Sequence, residues 1–469
     1  MKMSLFAAKA VIAVAAVTLP AISFAQELSP DEAARIDAAV TKVLTETGVP
    51  AAQVSVVRDG RIVLSRAWGK ASRSQPVARA DMRFQVASIS KQFLGALMLM
   101  LEDEGKLSLD DKVAKWLPEV TGADRITVRQ LLNHTSGLQD YWPQDFAFAA
   151  MEKPVSPRDI VERWGRKPLD YEPGTRWQYS NTGYVVAGMI AEKAGGAHLW
   201  YQFEKRIFKP LGIDPVPIDS TTGPAFPEGH NRFALGPVRP ATPPARGWLW
   251  AAGELAMSAQ DLAKWNIARI ERKLLPPEDW EEMERPAILK GGTTSNYGLG
   301  VFKVTSGGRT LIDHGGASVG FLSLNRVWPD ARAAVSVLTN GDFGGAQDKI
   351  SDAVAEIVLP RGPQASLAET PRTEDARSVL AGLAKGTIDP ARFTENARYY
   401  FTPATLADYR ETLARLGEPT AIEPLRSPRL RGGFVNRVFK VSWPGRSLYL
   451  STYAEAGDQG CWEQFMLTE

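Results

Sequence analysis

The chain is poor in the side chains that form disulfides and metal centres. Cys461 is the only cysteine in 469 residues, so no intramolecular disulfide can form. The four histidines, at positions 134, 198, 230 and 314, show no paired spacing typical of zinc ligands, and neither a Walker loop nor a strand-to-helix Gly-x-Gly-x-x-Gly fingerprint occurs. These absences predict a protein without a metal or nucleotide cofactor. A formal net charge of only +2 argues against a nucleic-acid partner.

The first 25 residues have the composition of a secretory signal. Lys2 and Lys9 precede or interrupt an apolar stretch from Leu5 to Val17, and Ser23-Phe24-Ala25 offers small residues where a signal peptidase cleaves. The stretch is shorter than the ~20 residues that a bilayer span requires, and no cysteine near the cleavage point would carry a lipid. We expect cleavage after Ala25, no stable membrane anchor, and a periplasmic mature chain.

The Ser-Ile-Ser-Lys tetrad from Ser88 to Lys91 is the first candidate for catalytic chemistry. Residues three apart share a helix face, so a helix that opens near Ser88 places the Lys91 amine beside the hydroxyl. Apolar residues at three- and four-residue steps from Phe93 to Leu101 predict a buried helix ending near Gly105. The Ser88 N–H at such a helix start can face a developing oxyanion. A Ser-x-x-Lys tetrad arises by chance roughly once in a chain of this composition, so its interpretation depends on its companions.

Tyr179 and Asn181 belong to the second candidate segment, Tyr-Ser-Asn. A serine hydroxyl is a weak nucleophile until a base removes its proton. A phenol has an unperturbed pKa of ~10, and a nearby cation favours the phenolate, so Lys91 would let Tyr179 act as the general base. If the segment is extended, both side chains point to one side, where Asn181 can hold the Lys91 amine or a substrate carbonyl. A loop of ordinary polar residues is the alternative interpretation.

The third candidate segment, His-Gly-Gly-Ala from His314 to Ala317, follows an apolar run that predicts the end of an edge strand beside the pocket. Glycine lets a backbone approach closely, and the Ala317 N–H is a candidate second oxyanion donor. An isolated histidine is more often structural than functional. The prediction that His314 lines the site therefore depends on the other two segments.

Together the three segments resemble those of the class C β-lactamase family, which includes serine D,D-peptidases, D-aminopeptidases and esterases on the same fold. The resemblance extends over about residues 30 to 360 and includes the stretches 131–138, 250–253 and 297–300. It implies that Ser88 is acylated, that Lys91 handles its proton, and that Tyr179 is the base. It further implies that Asn181 contacts lysine and substrate, and that His314 and Gly316 form the third element.

One segment departs from that family. β-Lactamases of this class carry Lys-Thr-Gly where this chain has His-Gly-Gly from His314 to Gly316, so a permanent positive charge and a hydroxyl are missing. A neutral imidazole attracts a substrate carboxylate less strongly than an ammonium does. We therefore expect a serine hydrolase that forms an acyl-Ser88 intermediate on an ester, a small amide or a D-amino acid peptide. Action on β-lactams or peptidoglycan stem peptides is the alternative.

Two other classes of protein fit parts of the sequence less well. The segment from Gly316 to Gly320 fits the Gly-x-Ser-x-Gly elbow of α/β-hydrolases, but every histidine precedes Ser318 and the next residues alternate like a strand. A non-catalytic penicillin-sensing or cell-wall-binding protein with a disabled site would not need Ser88, Lys91 and Tyr179 together.

The predicted fold is mixed α/β, with an antiparallel sheet flanked by helices, a mainly helical subdomain and a small C-terminal α+β domain. A helix over 30–47, capped by Ser29 and Glu32, precedes a hairpin of strands. Residues from about 85 to 290 are mostly helical. The other predicted elements are strands over 52–57, 61–68, 298–304, 309–313, 321–328 and 333–338, and a helix over 347–358. We place a hydrolase domain at 26–360 after the 1–25 signal, a linker at 361–372 and a second domain at 373–469.

The C-terminal domain is expected to pack helices on a curved antiparallel sheet, similar to the nuclear transport factor 2 group. Its predicted helices are 373–385 and 403–416, and its predicted strands are 434–443, 447–453 and 461–467. No chemical triad is visible in it, so we expect a scaffold, lid or dimerisation module.

Four aromatic residues are predicted to line a pocket for an apolar acyl or D-amino acid group: Tyr141, Trp142, Trp248 and Trp250. The expected partner is a small-molecule or peptide substrate. Its identity and the oligomeric state do not follow from the sequence, because specificity depends on loop shapes that motif spacing does not encode.

Overall fold

The computed structural model describes residues 27–144, 146–233, 235–306, 308–359, 371–425, 428–431, 434–455 and 460–468. The expected signal over 1–25 and most of the expected linker over 361–372 lie outside these residues. Across the described part of the chain, no helix combines the length and the apolar composition that a membrane span needs.

The predicted strands and helices occur in the predicted order. The strands are β1 Ala51–Arg58, β2 Arg61–Gly69, β3 Phe84–Gln85, β4 Val216–Pro217, β5 His230–Asn231, β6 Arg239–Pro240, β7 Leu255–Met257, β8 Phe302–Ser306, β9 Arg309–Ser318, β10 Phe321–Trp328, β11 Ala333–Thr339, β12 Ala421–Pro424, β13 Arg429–Arg431, β14 Phe434–Trp443, β15 Arg446–Ala454 and β16 Trp462–Thr468. The helices are α1 Pro30–Thr47, α2 Lys91–Asp103, α3 Val128–Leu132, α4 Pro157–Ile160, α5 Asn181–Gly195, α6 Leu199–Phe203, α7 Lys209–Leu211, α8 Trp250–Gly253, α9 Ala259–Ile270, α10 Pro277–Met283, α11 Ala346–Val358, α12 Pro371–Leu383, α13 Glu395–Tyr400 and α14 Pro403–Leu416. Strands β3 to β7, β12 and β13 were not predicted, and the strand predicted over 298–304 is displaced to 302–306.

The central sheet is antiparallel, with the strand order β2-β1-β11-β10-β9-β8. Strand β1 pairs with β2 on one side and with β11 on the other, so that Val54 lies opposite both Arg66 and Val337. The two ends of this region of the chain therefore build one sheet, and the mainly helical segment is inserted between them. The predicted mixed α/β fold class is confirmed.

Helices cover both faces of the sheet. Helices α1 and α11 pack on one face, where Ile36 and Ile350 join Val54 and Val337 in one apolar cluster. Helix α9 contacts β1 and β11 from the other face. Because both faces are covered, every residue of β11 is buried. Helix α1 has the predicted bounds, and its Ser29 and Glu32 form the predicted capping box.

Strand β9 differs from its prediction in length and position. It continues to Ser318 rather than ending at Asp313, because His314 to Ser318 keep pairing with β10. Strand β8, not β9, is the edge of the sheet, but β8 pairs only with Arg309 to Asp313. The segment from His314 to Ser318 therefore has no strand partner on that side among the described residues, and half of β9 is an open edge.

The C-terminal residues form their own sheet, with β12, β14, β15 and β16 in that order and β13 beside β14. Side chains such as Phe439, Leu450 and Trp462 share an apolar cluster with Leu380 of α12. Helices α12 and α14 and strands β14 to β16 correspond to the predicted elements. Helix α12 begins at Pro371, inside the segment predicted to be linker.

Candidate active site

Ser88 lies in a short 3₁₀ turn, Ala87–Ser90, that leads directly into α2. Ala87 has φ 46°, in the left-handed region that a non-glycine residue adopts only when its surroundings hold it there. Two glycines allow that close packing. A Cβ on Gly253 would lie 3.3 Å from the Ala87 carbonyl carbon, and one on Gly316 would overlap the Val86 carbonyl oxygen. Ser88 itself stays partly exposed, so a substrate can reach it.

Lys91 is the first residue of α2, and its side chain is fully buried at 0 % exposure. Its Nζ lies 3.0 Å from Ser88 Oγ, 2.9 Å from Asn181 Oδ1 and 2.6 Å from the Ala252 carbonyl oxygen. The predicted neighbourhood of Ser88, Lys91 and Asn181 is thus present. The Ala252 carbonyl is a partner that no motif indicated.

Burial lowers the pKa of Lys91 from 10.5 to about 7, because the charged form loses its hydration, while the charge of Asp140 opposes that shift. A substantial fraction of the amine is therefore neutral near pH 7. A neutral amine has two N–H donors and one lone pair. Asn181 Oδ1 and the Ala252 carbonyl oxygen can only accept hydrogen bonds, so they take the two N–H groups and leave the lone pair directed at Ser88.

Tyr179 contacts the Ser88 hydroxyl, and its ring centroid lies 4.9 Å from Lys91 Nζ. Burial raises the pKa of Tyr179, and the contact with Ser88 lowers it by less. The sequence-based expectation of a phenolate promoted by Lys91 stays a prediction, and the raised pKa of Tyr179 argues against it. Desolvation disfavours the phenolate as well as the ammonium, so the amine rather than the phenol reaches its basic form near neutral pH.

Asn181 begins α5 with Ser180 as its N-cap, so the segment is extended only up to Ser180. The expected contact with Lys91 nevertheless forms, because Asn181 is held from behind by Asp140. The Asp140 carboxylate accepts the Asn181 backbone N–H at 3.0 Å and its side-chain Nδ2 at 3.3 Å. Sequence reasoning missed Asp140. It lies two residues beyond the 131–138 stretch, and no spacing rule links it to Asn181.

His134 was also missed, although it lies inside the 131–138 stretch. It is fully buried, and its Nδ1 accepts the Ser180 backbone N–H at 3.1 Å. Its ring lies 4.2 Å from the Tyr179 ring, centroid to centroid. Burial and the charge of Lys91 hold the pKa of His134 well below its usual value, so it stays neutral. His134 thus packs against the Tyr179 ring in the interior.

The third segment lies on the open half of β9. Gly316 has no room for a side chain, because a Cβ would overlap Val86 and the Ser323 hydroxyl. This close approach brings β9 against the turn that holds Ser88. Gly315 and Ala317 are exposed. The open edge agrees with the prediction that the Ala317 N–H serves as an oxyanion donor, which stays a prediction.

His314 is only 3 % exposed, so its ring lies beneath the site rather than on its surface. Its Nδ1 faces the Gly315 carbonyl oxygen at 2.5 Å, which requires the proton on Nδ1, and Nε2 accepts from the Tyr297 hydroxyl at 2.8 Å. Burial and the nearby Lys91 lower the pKa of His314 to about 3. The imidazole is therefore neutral, as the sequence argument assumed.

The predicted aromatic rim is largely core. Tyr141 is 2 % exposed and donates its hydroxyl to the Trp248 carbonyl, and Trp248 is 1 % exposed. These two cannot line a pocket, because their rings pack on Trp164 and on each other. Trp142 and Trp250 are partly buried. Trp142 packs against Ile218 and Leu249, two residues that line a cavity.

That cavity has a volume of about 670 Å³, and Gln85, three residues before Ser88, is among its lining residues, whereas Ser88, Lys91 and Tyr179 are not. Its walls include the apolar side chains of Leu249 and Phe321 and the carboxylate of Asp219. Among the described residues, no three His, Cys, Asp or Glu side chains come together as metal ligands would.

Comparison with known proteins identifies the family. Residues 36–359 match the Beta-lactamase family. The chain belongs to the Beta-lactamase family. This confirms the β-lactamase-family part of the resemblance drawn from the three short segments, and it makes the chain a member of a family of serine hydrolases.

Two individual proteins with named activities are similar to this chain. A D-aminopeptidase of Brucella anthropi is 29 % identical over 321 residues, which are 66 % of this chain and 59 % of that protein. The chain thus spans less than two thirds of that relative's length. A D-stereospecific amidohydrolase from a Streptomyces species is 31 % identical with a TM-score of 0.59, and the match covers 69 % of this chain and 98 % of that one.

One structural neighbour extends into the C-terminal residues. The octameric penicillin-binding protein homologue of Pyrococcus abyssi is 21 % identical with a TM-score of 0.62, and the match covers 93 % of this chain and 100 % of that chain. This likeness shows the fold alone.

Proposed function

We propose that the protein is a serine hydrolase that forms an acyl-Ser88 intermediate on amides or small peptides of D-amino acids, and on esters of the same acyl groups. The observation that carries the proposal is the placement of Lys91 Nζ 3.0 Å from Ser88 Oγ, with acceptor-only partners on its other two sides. This arrangement supplies a base for the nucleophile near neutral pH.

Acylation begins when the Ser88 O–H proton moves to the lone pair of neutral Lys91, and Ser88 Oγ bonds to the substrate carbonyl carbon. The resulting oxyanion is stabilised by the Ser88 and Ala317 N–H groups. The carbonyl re-forms as the bond to the leaving amine or alcohol breaks. The leaving group takes the proton from Lys91, and Tyr179, which keeps its own proton throughout, serves as a hydrogen-bond donor.

Deacylation reverses these roles. Lys91 is neutral again, so it accepts a proton from the attacking water as the water oxygen bonds to the acyl carbon. Collapse of the second oxyanion breaks the bond to Ser88 Oγ, and the proton returns from Lys91 to Ser88. The products are a carboxylic acid and the free enzyme.

Two observations favour an amide or ester substrate over a β-lactam. His314 is neutral, so the position that carries a lysine in class C β-lactamases offers no charge to a substrate carboxylate. Relatives named D-aminopeptidase and D-stereospecific amidohydrolase support the amide substrate, whereas others named penicillin-binding protein support the alternative.

The test compares wild type with Ser88→Ala on D- and L-phenylalanine amide, a p-nitrophenyl ester and nitrocefin. We expect wild type to hydrolyse the D-amide and the ester faster than nitrocefin, and Ser88→Ala to lose about 10³-fold or more. A strong preference for nitrocefin would instead favour β-lactamase or D,D-carboxypeptidase action. A lasting penicillin or fluorophosphonate adduct on Ser88 without turnover of any substrate would favour the non-catalytic sensor.

We also infer a periplasmic location from the sequence of residues 1–25. The supporting features are the two lysines, the short apolar stretch and the small residues before position 26. Intact mass of the protein recovered from the periplasm should correspond to a chain that begins at Gln26. Recovery of the uncleaved chain in the cytoplasm would contradict this location.

A further inference from the structure

Asp140 lies in the loop after α3, and every hydrogen bond that the structure shows for its carboxylate comes from an N–H donor. Oδ1 accepts the backbone N–H groups of Asn181 at 3.0 Å and Trp142 at 3.1 Å. Oδ2 faces the Asn181 side-chain Nδ2 at 3.3 Å. Because a carboxylate accepts and does not donate, these contacts and the Lys91 charge favour the ionised form, against burial, which raises the pKa of Asp140.

The contact to Nδ2 decides which end of the Asn181 amide faces Lys91. An amide has one accepting end and one donating end, and the two have nearly the same shape. With Nδ2 on Asp140, Oδ1 must face Lys91, as the 2.9 Å distance to Nζ shows. The reversed amide would set two oxygens against each other at Asp140.

The orientation matters because of the Lys91 lone pair. Two acceptors, Asn181 Oδ1 and the Ala252 carbonyl, occupy the two N–H groups of the neutral amine and leave the lone pair for Ser88. A reversed amide would present its NH₂ group to Lys91. That group would compete for the lone pair when the amine is neutral and would repel the amine when it is charged.

We propose that Asp140 is a positioning residue that fixes the amide orientation of Asn181 and so directs the Lys91 lone pair to the Ser88 hydroxyl. The inference rests on the proposed function, because it concerns the same proton transfer. Because Asp140 acts through Asn181, replacing Asp140 should slow the reaction of Ser88 only when Asn181 is present. A purely structural role of Asp140 would not depend on Asn181.

The test measures covalent labelling of Ser88 by a fluorophosphonate, followed by intact mass, so that it does not depend on knowing the substrate. Wild type, Asp140→Asn, Asn181→Ala and the double variant are compared. Asparagine has the size of aspartate but offers a donor to Asn181, so Asp140→Asn favours the reversed amide. We expect its maximal labelling rate to fall about 10-fold or more, with the half-saturating concentration unchanged. In the Asn181→Ala background the same change should cost less than about two-fold.

Two further variants test whether a loss of labelling comes from misfolding rather than from the lost contact to Asn181. Asp261 is 8 % exposed, and its carboxylate accepts the Ser258 hydroxyl and pairs with Lys264. Asp261→Asn therefore removes a buried carboxylate elsewhere and should label within about two-fold of wild type. If Asp140→Asn does not fold, Asp140→Ser keeps an acceptor for the Trp142 N–H, cannot reach Asn181 Nδ2, and should show the same loss.

The outcomes separate this inference from the proposed function. Labelling of Asp140→Asn at the wild-type rate, or losses that multiply in the double variant, would overturn the role of Asp140 while the serine chemistry stands. Absence of Ser88 labelling in wild type would overturn the proposed function and this inference with it.

Discussion

Lys91 on α2 and His314 on β9 are both buried bases close to Tyr179, but their surroundings differ. Lys91 has three oxygen partners and the charge of Asp140 nearby, and its pKa comes down to about 7. His314 lies between Tyr297 and a carbonyl beside the Lys91 charge, and its pKa comes down to about 3. Burial lowers both, but only the lysine starts high enough to titrate near neutral pH. Of these two groups, only Lys91 has a pKa near neutral pH, which fits its proposed role as the base.

Removing that base should give the largest effect. Lys91→Met keeps most of the side-chain volume but leaves no group to take the Ser88 proton. We expect kcat/KM on the preferred ester or amide to fall by about 10²- to 10⁴-fold. Circular dichroism checks that the fold is kept. A folded Lys91→Met protein with near-normal activity would mean that Lys91 is not the base.

Removing the phenol should matter less. Tyr179→Phe keeps the ring that packs on His134 but removes the hydroxyl that contacts Ser88. If Tyr179 acts as a hydrogen-bond donor rather than as a phenolate, the loss should be about 10- to 100-fold in kcat with little change in KM. Steady-state kinetics measure both constants. A loss as large as that of Lys91→Met would return Tyr179 to the role of general base.

Replacing the neutral imidazole should matter least. His314→Gln keeps a neutral side chain that can accept the Tyr297 hydroxyl. We expect ester or amide hydrolysis within about three-fold of wild type and an unchanged pH profile, since His314 carries no charge at working pH. If the variant loses as much activity as Lys91→Met does, His314 takes part in proton transfer. That result would contradict the claim that Lys91 is the base and His314 is not.

Local geometry explains which parts of the site followed from the sequence. The Ser88–Lys91 contact depends on three-residue spacing at a helix start, so it could be predicted from the sequence. The bounds of α1, β10, β14 and α14 depend on hydrophobic periodicity and caps, and they could be predicted as well. Strand β9 was predicted to end at Asp313, because the glycines at positions 315 and 316 are typical of a strand end. In the structure it continues to Ser318.

Contacts between residues that are far apart in the sequence could not be predicted from spacing or periodicity. Ala252 reaches Lys91 across 161 positions, and Asp140 reaches Asn181 across 41. Neither contact leaves a periodic signal, and a backbone carbonyl leaves no signal in residue identity at all. The pKa order of Lys91 and Tyr179 was missed for a related reason. It depends on how deeply each group is buried, and motif spacing does not encode burial.

The most direct test of the account is the pH dependence of Ser88 labelling by a fluorophosphonate in wild type and in Lys91→Met. Neutral Lys91 becomes available as pH rises, so the wild-type rate should rise through a midpoint of about 7 and then level off. The rise should be absent from Lys91→Met. A wild-type rate that is flat across neutral pH, or that rises only near the ordinary pKa of a phenol or lysine, would contradict the claim that a neutral, buried Lys91 activates Ser88.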